Sequence, residues 1–198
     1  GFPVPSAAEW LLDNFYVNAD VSADGHNWST AAIVPDYIQK MWPSSYGGRR
    51  KISDYQGQEP TATPPAGYIW TNAHAAGISI RNFGYFVSNR PNAPLRGVQV
   101  DEVRDPILAR VTNRNFRGVD MDYPDVVRAR VFLEELAEYE KTGQMPQLIL
   151  IRLGNDHTAG TTPGRVTPNS AVADNDYALG MVVEGISRSR FWPARVSE

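Results

Sequence analysis

Leu148-Ile149-Leu150-Ile151 is a continuous apolar run with β-branched content, and Arg152-Leu153-Gly154-Asn155-Asp156-His157 follows it directly. Its length and composition predict a parallel strand buried on both faces at the centre of a sheet. A helix precedes it in the pattern. That helix starts near Pro124-Asp125, places Ala129, Phe132, Leu133 and Leu136 on one face and Arg128, Glu134, Glu135 and Glu138 on the other, and stops at Gly143. A second helix follows the strand, with Asp174-Asn175-Asp176 as its cap and Leu179, Val182, Val183 and Ile186 on one face, to about Arg190.

Working outward, the pattern predicts a helix over 65–76, with Gly77 as its stop. Ile78 to Phe83 then alternates like a strand. Leu11 to Val17 suits another strand, and Asp20-Val21-Ser22 suits the cap of a helix beginning near Ala23. Helices alternating with buried strands define an α/β fold, read as a single domain over 1–198. Residues 43–66, polar and rich in Gly and Pro, read as a loop-rich insertion. An α/β unit normally sends its crossover helix into another parallel strand, whereas here the chain stops shortly after its last helix, so the architecture is expected to be interrupted.

Lys and Arg number 19 against 22 Asp and Glu, a net charge of −3, and no basic block occurs, which disfavours a nucleic-acid partner. No apolar run approaches the roughly 18 residues of a membrane span, and the first residues lack a signal-peptide pattern. With no cysteine, thiolate metal sites and cysteine nucleophiles are excluded. Chemistry falls to oxygen and imidazole groups.

In open α/β sheets, ligands bind at the carboxyl ends of strands. Both candidate strand ends here carry Asp and His. Ser22 at a helix start would face backbone amides and the positive end of the helix dipole, where an anion fits; Gly25 permits close backbone approach, and His26 lies four residues on. The alternative is that Ser22 or Asp24 caps the helix and His26 packs against Trp28. Asp156 and His157 pair a carboxylate with an imidazole, the donors that divalent metals use, but two ligands are too few to complete a site. Their alternative is a solvated turn. His74, between alanines, reads as a surface or half-buried histidine.

The string "DNFYVNADVSADGHNWSTAA" (13–32), with "GYIWTNAHAAGISIRNFGYF" (67–86), "LIRLGNDHTAGTTPG" (150–164) and "VADNDYALGMVVEGISRSRFWP" (172–193), resembles the bacterial phosphoesterase family of acid phosphatases and phospholipase C-like enzymes in the alkaline phosphatase superfamily. The likeness is to the phosphatase-like domain often fused to a β-propeller in secreted bacterial proteins, and it spans most of the chain. The resemblance implies a three-layer sandwich around a mostly parallel sheet, incomplete at both ends, and a secreted or periplasmic location. It implies a phosphoester hydrolase in which Ser22 attacks phosphorus with help from a divalent metal ion. Thr30 and Ser29 are weaker nucleophile candidates. Asp156 and His157 are implied as metal ligands or phosphate contacts, His26 as a second catalytic residue beside Ser22, and Gly25 and Asn155 as substrate-binding residues.

Relatives usually begin with a Glu-Asn-Arg segment and continue past the Ser-Arg-Phe-Trp-Pro region to a Glu-Asp-Asp cluster followed by Asp-His. This chain shows neither, and Tyr85 stands where relatives tend to carry Glu. Two expectations follow: an enzyme acting on a small phosphate ester, or a non-catalytic remnant that binds anions or a partner chain and self-associates. Phe191 and Trp192 are expected to bury against the sheet or a neighbouring molecule.

Overall fold

The structure is a computed structural model and describes residues 21–45 and 60–192. The expected strand over 11–17 and the capping position at Asp20 lie outside the described residues. Two compact units are present, one from residues 21–45 and 60–66, the other from residues 67–192. Among the described residues the fold is mixed α/β, with helices, one parallel strand pair and one antiparallel pair. No described helix is long and apolar enough to cross a membrane.

In the first unit, α1 (Ser22–Ala31) and α2 (Asp36–Ser45) pack around Val21, Ala23, Val34, Ile38 and Ala62, the last from a single 3₁₀ turn, Pro60–Ala62. Of the expected 43–66 insertion, 43–45 end α2, 46–59 lie outside the described residues, and 60–62 form that turn.

The second unit begins with α3 (Ile69–Ala75), shorter than the predicted 65–76 helix. The chain instead turns at Gly67, whose φ of 72° suits glycine, and Tyr68 becomes the cap. β1 (Ile80–Phe83) pairs in parallel with β4 (Leu148–Ile151), Ile80 opposite Leu148 and Phe83 opposite Ile151. Between them lie the antiparallel pair β2 (Val87–Asn89) and β3 (Val100–Val103), then α4 (Pro106–Val111) and α5 (Asp125–Thr142). The parallel prediction for 148–151 holds, but all four residues are half-buried, not buried on both faces. An isolated parallel bridge from Asn82 to Thr112 puts β1, not β4, between two neighbours.

α5 has the predicted limits: Pro124 precedes it, and Gly143 ends it with φ 71°, its N–H donating a hydrogen bond to the Tyr139 carbonyl. Phe132, Ala129 and Leu136 meet Phe83, Phe116, Ala178 and Val182 in the main core. The helix over the other side, α6 (Pro168–Arg188), starts earlier than expected, at Pro168 with Thr167 as cap. Asp174, Asn175 and Asp176 therefore lie inside α6. Its buried face is Ala171, Ala178 and Val182, while Leu179 and Val183 are 52% and 53% exposed. Phe191 packs on the main core as expected, but Trp192 is 53% exposed.

The charged face assigned to α5 is only partly a solvent face. Arg128 is fully buried, and Glu135 is half-buried in an ion pair with Arg81 of β1. Arg81 grips Glu135 with two bonds, Nε to Oε1 at 2.6 Å and Nη2 to Oε2 at 2.9 Å, while Asn113 Nδ2 (2.5 Å) and the Tyr139 hydroxyl also donate to it. Burial pushes the Glu135 carboxyl up, yet these donors outweigh it and hold the group below the ordinary glutamate range. Burial and the same carboxylate push the Tyr139 hydroxyl up.

A depressed carboxyl contributes stability that is present above its unfolded-state pKa and lost as pH falls through the folded one. Denaturant midpoints should therefore fall as pH drops from about 5 to about 3, and Glu135→Gln should flatten part of that slope. Equal slopes in the two proteins would show that this ion pair does not couple α5 to β1.

Candidate functional site

The carboxyl end of β4 leads through Arg152, Leu153 and Gly154 into a 3₁₀ turn, Asn155–His157. A carboxylate from α5 fixes where that turn sits. Asp125 is fully buried and accepts from the Asn155 amide at 2.8 Å, the Gly154 amide at 3.1 Å, Asn175 Nδ2 of α6 at 2.9 Å and Arg128 Nη1 at 2.7 Å. One side chain thus ties the strand end, α5 and α6 together.

Arg128 is satisfied on every N–H. Nε donates to the Arg117 carbonyl at 2.8 Å, Nη1 to Asp125 and the Tyr123 carbonyl at 2.7 Å each, and Nη2 to the Gly118 and Asp120 carbonyls at 2.7 and 3.1 Å. Burial lowers its pKa and the Asp125 carboxylate opposes that. The guanidinium also lies 5.0 Å from the Tyr123 ring centre.

Pro124 precedes α5 and offers no side-chain cap. Asp174, one helix away, accepts instead from the Asp125 amide at 2.6 Å and holds Asn155 Nδ2 at 2.8 Å. This is the role of the Asp174-Asn175-Asp176 stretch that was expected to cap its own helix. Asp174 and Asn175 serve α5 and the turn from the middle of α6.

Held this way, Asp156 and His157 are both exposed and adjacent at the strand end. Asp156 borders a pocket of about 360 Å³ shared with Ile151, Leu153, Asn175, Leu179 and Val182. A second, of about 250 Å³, lies across Asn155 and is bordered by Asp122, Arg165, Ser170 and Asp174, with Arg165 paired to Asp122. Asn155 is 4% exposed, and its Oδ1 has no hydrogen-bond partner among the described residues. Such a buried orphan acceptor costs about 1–3 kcal/mol.

The other candidates lie in the first unit. Ser22 is the first residue of α1 and exposed, as expected of a hydroxyl at a helix start; the cap position is Val21, which makes no side-chain cap bond. Gly25 is exposed and open around its Cα, and His26 is half-buried with its carbonyl accepting from Thr30 Oγ1 at 2.6 Å. Asp24 and Asn27 on α1 are buried, at 6% and 1% exposure, and neither was singled out as a site residue. His74 is exposed on α3, in line with its reading as a surface histidine. Among the described residues no three His, Asp or Glu side chains come together as a metal cluster.

No protein-family model, characterised protein or solved structure matches this chain.

The missed residues, Asp125, Arg128 and Asp174, make a direct prediction. Asp125→Asn removes the charge opposite a buried guanidinium and should lower unfolding free energy by about 3–5 kcal/mol in urea titrations. Asp156→Ala, at an exposed position, should change it by less than about 0.5 kcal/mol. Similar losses in both variants would mean that the network does not hold the turn.

Proposed function

We propose that this chain is a phosphoester-hydrolase-like protein acting on a small phosphate ester with the help of a divalent cation. The observation that carries the reading is the exposed Asp156–His157 pair on a turn anchored by buried Asp125, at the carboxyl end of a parallel strand. A carboxylate and an imidazole fit such a cation as two of its donors. The cation, when bound, would neutralise charge on the phosphoryl group. The finer architecture that goes with this reading is a three-layer sandwich with a mostly parallel sheet.

The sequence resemblance assigns the nucleophile and its base separately, to α1 of the first unit. In this reading Ser22 is the nucleophile: its oxygen bonds to phosphorus as the bond from phosphorus to the leaving oxygen breaks, the hydroxyl proton passes to His26, one turn along the same helix, and from there to the departing alkoxide, and water then cleaves the phosphoserine to phosphate. Gly25 leaves room for substrate beside them. Asn155 sets the turn from behind through its bonds to Asp174 and Tyr123.

Hydrolysis of a chromogenic phosphate ester, with and without added Mg²⁺, Mn²⁺ or Zn²⁺, tests this. Turnover should require the cation and fall by about a hundredfold or more in Ser22→Ala and in Asp156→Ala or His157→Ala. Full activity in Ser22→Ala would remove the nucleophile assignment, and full activity in both loop variants would remove the cation. Phosphate binding without any turnover would favour a non-catalytic anion-binding protein instead.

A further inference from the structure

Asn155 is buried, and all but one of its polar atoms are engaged. Its amide donates to Asp125, its carbonyl accepts from the Thr158 amide at 3.0 Å, and Nδ2 donates to the Tyr123 carbonyl at 3.2 Å and to Asp174 at 2.8 Å. Oδ1 alone is left without a donor among the described residues. Exchanging the oxygen and nitrogen of the side chain would lose both Nδ2 bonds, so the orphan is not cured by turning the amide over.

Asn155 is the one residue of the 155–157 turn that borders the cavity of about 250 Å³. Met121, Pro124 and Val166 give that cavity apolar walls, and Asp122, Arg165 and Asp174 give it charge. Asn155 and Asp174 are held side by side by their own hydrogen bond. Arg165 pairs with Asp122, whereas Asp174 bonds only to neutral N–H groups among the described residues, those of Asp125, Val126 and Asn155. Two carboxylates against one guanidinium leave one negative charge in excess at the border. A water would satisfy Oδ1, but it fills little of such a space and brings no charge.

We propose that this cavity binds a small organic cation through N–H donors, a primary ammonium group on a short carbon chain. One N–H meets Asn155 Oδ1, the positive charge faces Asp174, and the carbon chain lies against Met121 and Val166. An anion brings neither a donor for Oδ1 nor the opposite charge. The site is separate from the cavity beside Asp156 and does not depend on a divalent cation there.

Titration of the full chain with n-propylammonium, followed by backbone amide NMR shifts, tests it against two probes of the same chain length. Propyltrimethylammonium keeps the charge but has no N–H, and propionate is an anion. Propylammonium should give saturable shifts at Asn155 and Ala171 and bind at least about tenfold more tightly than either. Asn155→Ala, its fold checked by melting, should weaken binding by at least about tenfold, and Asp122→Asn, a surface change, by about threefold. No saturable shifts, equal binding of the two cations, tighter binding of propionate, or wild-type affinity in a folded Asn155→Ala overturns the site. Where Asn155→Ala does not fold, wild-type affinity in Asp122→Asn overturns it.

Discussion

The Asp125 carboxylate is the constraint on which the second unit turns. It is wholly buried and could not remain charged without compensation, and it receives that from a guanidinium, two backbone amides and a side-chain amide. The donors come from three pieces of the chain. Arg128 fastens it to the segment before α5, Gly154 and Asn155 to the end of β4, and Asn175 to α6. An apolar residue of similar size would fill the space but would leave the two amides of the turn without acceptors. The network specifies one position for the β4 end, and that specificity is a better account of it than net stabilisation, since buried ion pairs are often no stronger than apolar packing.

α5 could be read to the residue because its signals are local: Pro124 at one end, Gly143 at the other, and an apolar stripe between. β4 was readable as a parallel strand for the same reason. The burial of Arg128 was not, because its partners are mostly backbone carbonyls of residues 117, 118, 120 and 123, which leave no mark in side-chain type. At three residues from Asp125 it looks like any solvent-side i, i+3 ion pair. Asp174 misled in the opposite way. Its composition suits a cap, and it does cap a helix, but one that begins 49 residues earlier. Capping chemistry is visible in sequence, whereas the helix it serves is a tertiary fact.

The candidate site shows the same division. Asp156 and His157 were legible because a strand end followed by Asp-His is a sequence pattern, and Ser22 because it precedes a helical stretch. What sets their surroundings was not legible: the burial of Asn155 and of the polar residues Asp24 and Asn27 on α1. A periodicity argument places apolar residues inside and has no way to choose which polar ones accompany them.

Two carboxylates of α5, buried Asp125 and half-buried Glu135, divide the work of that helix. Glu135, nearly three turns beyond Asp125, joins α5 to β1 through Arg81 and to the segment after α4 through Asn113. Asp125 joins the start of the same helix to the end of β4 and to α6. Because β1 and β4 run parallel and are neighbours, a helix fastened by charge at two points along its length cannot slide or rotate without breaking one of them. The apolar contacts of Phe132 and Leu136 alone would tolerate a small shift, since such packing is not directional. Charged hydrogen bonds tolerate far less. The exposed pair at the β4 end therefore inherits its position from a register set inside the core, and a change at Glu135 should be felt at Asp156 through the helix rather than through the solvent.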